Sequence, residues 1–510
     1  MRIVVVQNGF DFHQELERII PLFFEEVDVQ FTQVESQVAE LPSQPFTIVL
    51  TLHEEDELRA TGKLFTDRIK EAYVAEHRRT AVIDDEGQRR KVAKQVVSAV
   101  LLQLLEDWTG LKQPWGILTG IRPTKLMHRF LQQGKGQEEI EQFMTEELLV
   151  QPTKIALLYE IAQRQLQVLP DLYDLKTQGV SLYIGIPFCP TKCAYCTFPA
   201  YAIGTKQGQV EEFLQLLHEE IKAIGQWLQR TKLRVTTIYF GGGTPTSITA
   251  QQLDEIFQGM AQAFPHFSEV RELTVEAGRP DTITPEKIDV LKKWKVDRIS
   301  INPQSFHEET LQAIGRHHTV AETIEKYKMA EAMGMNNINM DLILGLPGEG
   351  VKHVSHSLDE VGKLLPQSLT IHTLSFKRAS TMTKRREAYH VSDRQEITQM
   401  MELAVHWTKA HNYQPYYLYR QKNILGNLEN VGYALPGFES LYNIIIMEEL
   451  QTIIGLGCGA VSKLVAPDGS IQRVPNPKEP RAYVEQFSHM LERKLNALAA
   501  MYEKDEALPK

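Results

Sequence analysis

SLYIGIPFCPTKCAYCTF (residues 181–198) is followed, after one helical segment, by TTIYFGGGTPT (236–246), and together these stretches decide the fold. Each begins as a β-branched and aromatic run and ends abruptly in Cys, Gly or Pro. Between them Phe213, Leu216, Leu217, Ile221, Ile224 and Leu228 recur at helical spacing. The alternation continues through ELTVEA (272–277), DRISIN (297–302), NINMDLIL (337–344) and SLTIHTLSF (368–376), with helical segments near 249–263, from Pro285, across 307–333 and near 351–365. Six such βα units predict an α/β fold with a parallel sheet, and their short connections favour a full or partial (β/α) barrel.

Barrel active sites sit at the carboxyl ends of the strands. Every notable polar or Gly-rich element here falls at such an end: the cysteine loop, Gly241-Gly242-Gly243-Thr244-Pro245, Glu276, Gln304, Asp341 to Pro347, and Ser375. The flanks read differently. In residues 1–170, strands at MRIVVV, VDVQFT and PFTIVLTL, a helix at Glu15 to Phe24 and a long amphipathic helix through Val92, Val96, Val97, Val100, Leu101, Leu104 and Leu105 predict an N-terminal α+β domain. The barrel is expected over 171–380. A third domain over 381–510 reads as mainly helical (391–411 and 479–502), around an irregular Gly- and Tyr-rich middle from Tyr413 to Gly459.

At 510 residues the chain is long enough for about three domains. Its 55 Lys and Arg against 65 Asp and Glu, a net charge of -10, argue against nucleic-acid binding by bulk electrostatics, so an anionic substrate must meet a local basic cluster. No apolar run approaches the ~20 residues of a spanning helix, and the amino terminus lacks the features of a signal or transit segment; a cytoplasmic protein is expected. Three of the four cysteines, Cys189, Cys193 and Cys196, fall within eight residues, which in a reducing compartment points to metal or redox chemistry. Three thiolates from one loop leave one iron of a [4Fe–4S] cluster open to an outside ligand. Structural zinc would need a fourth ligand, usually from a paired CxxC, and the chain has no such pair.

The CxxxCxxC trio, with Tyr195 before its last cysteine, resembles the radical S-adenosylmethionine superfamily, whose fold is a partial (β/α)6 barrel. With GGGTPT it is similar to the branch that holds oxygen-independent coproporphyrinogen III dehydrogenase, the haem chaperone HemW and the HemZ-type proteins. WGILTGIRPTKL (115–126) and ESLYNIIIMEELQTIIGLG (439–457) look most like the last of these. The resemblance implies that the open iron binds S-adenosylmethionine, that one electron cleaves it to methionine and a 5′-deoxyadenosyl radical, and that the radical abstracts a substrate hydrogen. It also implies an electron donor such as flavodoxin or ferredoxin. The dehydrogenase holds two S-adenosylmethionine molecules; the matching positions are Tyr183, Gly242, Glu276 and Val461 for the first, and Tyr195, Gly243, Thr244, Gln304, Arg316, Asp341 and Ser375 for the second. The expected reaction is oxidative decarboxylation of coproporphyrinogen III to protoporphyrinogen IX in haem biosynthesis.

Two departures keep alternatives open. Phe198 stands where the dehydrogenase has a further cysteine, as in the chaperone, and SLYNIIIMEE (440–449) lacks the chaperone's HNxxYW string. A haem chaperone and a radical methyltransferase of the same branch are therefore the rival readings. Read from the residues alone, three glycines suit a tight turn or a close backbone approach to a small zwitterion, and position after the second strand favours the latter. A strand-end Glu276 serves either a ligand or the cap of the next helix, and Arg316 either a carboxylate or the surface. Cys458 is expected to be a buried free thiol, His317 and His318 to face solvent or substrate, and Lys377-Arg378 to be the basic pair that meets a porphyrinogen or other small anionic substrate.

Overall fold

The computed structural model describes residues 1–24, 26–33, 46–54, 57–66, 71–79, 85–120, 122–198, 200–204, 207–376, 380–384, 389 and 391–503. It divides into two compact units, Met1–Tyr159 and Glu160–Lys510.

In the first unit β1 (Arg2–Asn8) pairs in parallel with β2 (Asp28–Thr32) and β3 (Phe46–Glu54), while β4 (Leu58–Thr66) and β5 (Tyr73–Arg79) continue the sheet antiparallel in the order β2-β1-β3-β4-β5. Helix α1 (Glu86–Thr109) covers it; its seven predicted Val and Leu positions are all buried, Asp85 caps its first turn through the Gln88 amide, and Gly110 ends it in the left-handed region (φ 71°). Three further helices follow, α2 (Thr124–Gln132), α3 (Gln137–Glu146) and α4 (Pro152–Val168). The helix expected at Glu15 to Phe24 is instead one turn, His13–Leu16, and a 3₁₀ turn, Ile20–Leu22. Pro21, without an N–H and with its ring against the preceding turn, prevents a continuous helix.

In the second unit the six predicted strands lie side by side in chain order and parallel: β6 (Gly179–Ile186), β7 (Arg234–Gly242), β8 (Glu272–Glu276), β9 (Arg298–Ser300), β10 (Ile338–Leu344) and β11 (Ser368–Thr373). Helices α5 (Gln207–Thr231), α6 (Ala250–Ala263), α7 (Pro285–Lys293), α8 (Val320–Ala332) and α9 (Val351–Leu364) connect them. This is a partial (β/α)6 barrel: β6 and β11 do not pair with each other. β6 is joined in parallel by β14 (Ile453–Gly457), and β11 is flanked antiparallel by β13 (Asn430–Ala434) and then β12 (Gln414–Tyr419). β15 (Val461–Val465) and β16 (Ile471–Pro475) finish the other edge, among helices α10 (Arg394–Ala410), α11 (Leu441–Glu448) and α12 (Phe487–Tyr502).

The expected domain boundaries change accordingly. Residues 160–170 belong with the barrel because Arg164 pairs with Glu439 and Gln165 Nε2 donates to the Tyr416 carbonyl at 2.9 Å and to Glu448 at 3.0 Å. Residues 171–380 and 381–510 form one unit because both supply strands to one sheet. The stretch expected to be irregular, Tyr413 to Gly459, holds β12, β13 and β14. The last two are buried at every position, so they lack the alternation that marks a half-buried strand. Gly432 is needed there: a Cβ would fall 1.8 Å from the Tyr417 ring. Among the described residues no helix is long and apolar enough to cross a membrane.

One buried ion pair ties this sheet to its helices. Glu220 on α5, fully buried, accepts from Lys494 Nζ on α12, from the Tyr483 hydroxyl (2.6 Å), the Gly457 amide (2.7 Å) and Asn476 Nδ2 (3.2 Å). Among the described residues Lys494 has beyond it only the Gly455 carbonyl, at 2.5 Å. Removing one member strands the other, at ~3–5 kcal/mol. Glu220→Ala is expected to lower the thermal midpoint more than Lys494→Met, because Glu220 keeps three neutral donors while Lys494 would keep one acceptor. Equal losses in parallel melts would refute this asymmetry.

Candidate active site

The cysteine loop leaves the end of β6 and is pinned on three sides. Phe188–Cys189 pairs with Tyr201–Ala202, closing the loop on itself, and the Ile203 amide bonds the Cys189 carbonyl at 3.0 Å. The Ala194 amide donates to the Ile314 carbonyl (2.9 Å) and Thr191 Oγ1 to the Gly315 carbonyl (3.0 Å), seating the loop on the chain beyond β9. Cys189 and Cys193 are buried and Cys196 is half-buried. Cys189 Sγ lies 3.3 Å from Thr244 Oγ1. The Arg279 guanidinium stands 3.8 Å from Cys193 Sγ, donates to Thr191 Oγ1 at 3.0 Å, and is held by Asp281 through bonds of 3.1 and 2.8 Å. Burial pushes the Cys189 thiol up to about 11, with Thr244 acting in the opposite sense, so a metal must displace a firmly held proton to use it.

The glycine turn after β7 is the floor of that loop. Gly243 and Thr244 donate their amides to the Ile186 and Phe188 carbonyls at 2.7 Å each. Gly242 takes φ +105°, and a Cβ on Gly243 would fall 2.5 Å from the Phe188 carbonyl oxygen. The turn therefore needs glycine in order to dock on the cysteine loop. Its Gly243 and Thr244 amides are engaged with that loop, so the expected main-chain approach to a ligand does not include them.

Across the mouth, Glu276 at the end of β8 accepts from the Tyr239 hydroxyl at 2.6 Å, beneath a column in which Tyr239 stacks on Tyr442 (4.4 Å) and on Tyr183 (6.2 Å). Burial, with the neighbouring Asp341 charge, pushes Glu276 up to about 7 against the pull of Tyr239. Asp341 on β10 is raised by burial but more strongly lowered by His372, Asn339 and Thr370, and ends below its ordinary value. Gln304 adopts φ +67°, exchanges backbone bonds with β10 through the Asp341 carbonyl and the Ile343 amide, and leaves its buried Oε1 without a protein partner. Arg316, which the sequence leaves open between a carboxylate partner and the surface, is 5% exposed; it interacts with Tyr195 and Cys193, donates to the Asn302 carbonyl at 2.5 Å, and leaves Nε without a partner among the described residues. Ser375 donates to the Lys422 carbonyl at 2.7 Å, and Val461 opens β15.

Several residues escaped the sequence reading. Arg279, Asn302 and His372 reach the mouth only through cross-strand adjacency; the hint in EAGRPDT (276–282) is an arginine directly after a strand end. His318, expected to face solvent or substrate, is buried just before the Thr319 cap, whereas His317 is exposed. Burial and the charges of Arg316 and Arg279 push His318 down to about 3. Cys458 is a buried thiol donating to the Pro477 carbonyl at 3.4 Å. Phe198 is 57% exposed. Lys377-Arg378 lie outside the described residues.

The Radical SAM superfamily profile matches residues 183–361. The chain is 55% identical to the oxygen-independent coproporphyrinogen-III oxidase-like protein HemZ of Bacillus subtilis over 96% of each protein. The chain belongs to the radical SAM superfamily, in its HemZ-type branch. The haem chaperone HemW of Bacillus subtilis is 30% identical over 55% of this chain and 70% of its own. Coproporphyrinogen III oxidase HemN of Escherichia coli, described as a radical SAM enzyme, superposes with a TM-score of 0.50 at 19% identity, covering 64% of this chain and 73% of that one; the likeness is of fold.

Radical SAM proteins use a [4Fe–4S] cluster and S-adenosylmethionine, and the mouth of this HemZ-type barrel fits both. Three thiols on one loop beside a guanidinium suit an anionic cluster, while Asn302 Oδ1, Gln304 Oε1 and Arg316 Nε are buried and orphaned, as polar atoms awaiting a polar ligand would be.

Glu276 carries a pH signature. With its folded value near 7 and its ordinary value at 4.5, its contribution to stability is complete below pH 4.5 and lost as pH rises through 7. Glu276→Gln is therefore expected to melt higher, relative to wild type, at about pH 8 than at about pH 5. A difference that does not vary with pH would show that Glu276 titrates normally.

Proposed function

We propose that Cys189, Cys193 and Cys196 ligate a [4Fe–4S] cluster, and that this chain performs the oxygen-independent oxidative decarboxylation of coproporphyrinogen III to protoporphyrinogen IX. The observation that carries the reading is the cysteine loop seated at the carboxyl end of the strands, with Arg279 and Thr244 on its sulfurs. The substrate class is taken from the HemZ relative's name. When bound, the cluster and S-adenosylmethionine supply reductive cleavage of the sulfonium and hence the means of hydrogen abstraction. Each of two propionates then loses one hydrogen atom, one electron to an external acceptor, and carbon dioxide, leaving a vinyl group.

The protein's own residues bind and orient. Arg279 offsets the negative charge of the thiolates, and Arg316 with Gln304 offers one donor and one acceptor to a zwitterion. Tyr183, Gly242, Glu276 and Val461 bound one S-adenosylmethionine position; Tyr195, Asp341 and Ser375, with Gly243 and Thr244 through atoms other than their engaged amides, complete a second with Gln304 and Arg316. A flavodoxin- or ferredoxin-type protein serves as donor. The second reading is a haem chaperone, favoured by Phe198, an exposed phenyl two residues beyond Cys196 that offers an apolar face instead of a thiol.

Anaerobically purified protein is expected to hold about four irons per chain. Cys189→Ala, Cys193→Ala and Cys196→Ala each abolish this, and Cys458→Ala leaves it intact. With reductant, S-adenosylmethionine and an electron acceptor, coproporphyrinogen III should yield protoporphyrinogen IX with two carbon dioxide molecules released per product. Tight haem binding with no carbon dioxide would give the assignment to the chaperone reading.

A further inference from the structure

His372, on β11, belongs to none of the sets above, yet the fold places it between two groups that fix both its ring nitrogens. Its Nδ1 lies 3.2 Å from the Tyr419 hydroxyl on β12, and its Nε2 lies 3.6 Å from Asp341 Oδ2 on β10, an ion-pair distance. A proton on Nδ1 alone would turn the Nε2 lone pair on a carboxylate. Asp341 therefore selects the form with Nε2–H toward it, and the Tyr419 hydroxyl donates to Nδ1. The other carboxylate oxygen, Oδ1, accepts from Asn339 Nδ2 at 2.8 Å, and Asn339 is held in turn by the hydroxyls of Ser368 (3.0 Å) and Thr370 (3.3 Å). The titratable groups that face Asp341 from neighbouring elements are Glu276 on β8 and Tyr417 and Tyr419 on β12, and Arg298 on β9 acts in turn on Glu276. Two carboxyls thus lie at one buried mouth, and Asp341 is the one that the His372 Nε2–H faces. Both His372 and Asp341 keep part of their side chains open to the mouth, at 24% and 18%.

We propose that His372 is a positioning residue: held by Tyr419, it directs Nε2–H at Asp341 and keeps that carboxylate turned to, and available to, a cationic ligand group. Resting on the reading that these strand ends bind S-adenosylmethionine, the cationic group is its sulfonium or ammonium. Two carboxyls at one mouth disfavour each other's ionisation, and the N–H that His372 turns on Asp341 favours the anion there.

The test uses full-length, anaerobically purified protein and two readouts. In infrared titration, the wild type should show one buried carboxyl that loses its proton near pH 7. His372→Phe, which keeps a ring but removes the N–H, should show a second protonated carboxyl that disappears in the His372→Phe, Asp341→Asn double variant. His372→Gln, which retains a donor, should titrate as wild type does. By equilibrium dialysis, His372→Phe should bind S-adenosylmethionine ~10-fold more weakly at about pH 6 and within ~2-fold of wild type at about pH 8.5, tenfold being one pKa unit. Identical infrared titrations of wild type and His372→Phe overturn the inference. A second carboxyl without any change in affinity would uphold the role of His372 and remove Asp341 from the S-adenosylmethionine site.

Discussion

The candidate site depends on a backbone clasp only two hydrogen bonds wide. The Gly243 and Thr244 amides reach the Ile186 and Phe188 carbonyls, binding the turn after β7 to the first residues of the cysteine loop. Net hydrogen bonds contribute only about 1 kcal/mol each, so the importance of these two is geometric. They bring Thr244 Oγ1 to Cys189 Sγ and hold the loop's starting direction, and they form only because no side chain at 242 or 243 keeps the two backbones apart. The GGGT string is thus first a packing requirement of the cysteine loop, and its ligand role, through whatever edges stay open, is secondary to that.

Behind this clasp the barrel interior is polar, which is costly unless every group is matched. Glu272, at the opposite end of β8 from Glu276, accepts the Leu441 amide (2.6 Å), the Tyr442 amide (3.1 Å) and the Ser440 hydroxyl (2.9 Å), so a buried carboxylate caps α11 where the helix N-terminus favours negative charge. Fixing that first turn places Tyr442 in the stack on Tyr239, and Tyr239 delivers its hydroxyl to Glu276. A C-terminal helix therefore helps set the orientation and proton affinity of a mouth residue built on the third barrel strand. This is also why residues 381–510 do not separate from the barrel as a domain of their own.

How much of this was legible in the sequence follows from what each element buries. The six barrel strands could be read because Val, Ile and Tyr runs stop at Cys, Gly, Glu or Asp just where the chain must turn. The cysteine trio and GGGT were equally plain because their spacing is local. β13 and β14 were hidden: NVGYA and IIGLG are short, glycine-bearing and buried throughout, and nothing local says that Tyr417 lies across Gly432. The N-terminal helix was overestimated because its apolar spacing continues past Pro21. Arg279 and His372 could not be found at all, since a lone cation in a loop or a histidine in a strand acquires its role from a partner on another element.

What the sequence could not convey is the set of unmet bonds that the fold gathers at one place. Gln304 is held in a left-handed conformation by bonds to β10 on both its N–H and its C=O, and its side chain is left with a buried, unpartnered oxygen; Arg316 Nε and Asn302 Oδ1 are in the same state. A backbone held in that region costs of order 1–3 kcal/mol, and each buried unsatisfied polar group about as much. A protein of ordinary marginal stability retains such costs where the surrounding packing over-determines them, and here six parallel strands and the cysteine loop do so. A ligand that arrives with both donors and acceptors then gains hydrogen bonds without first ordering the groups that make them, which is the physical sense in which this mouth is prepared for a polar, zwitterionic molecule.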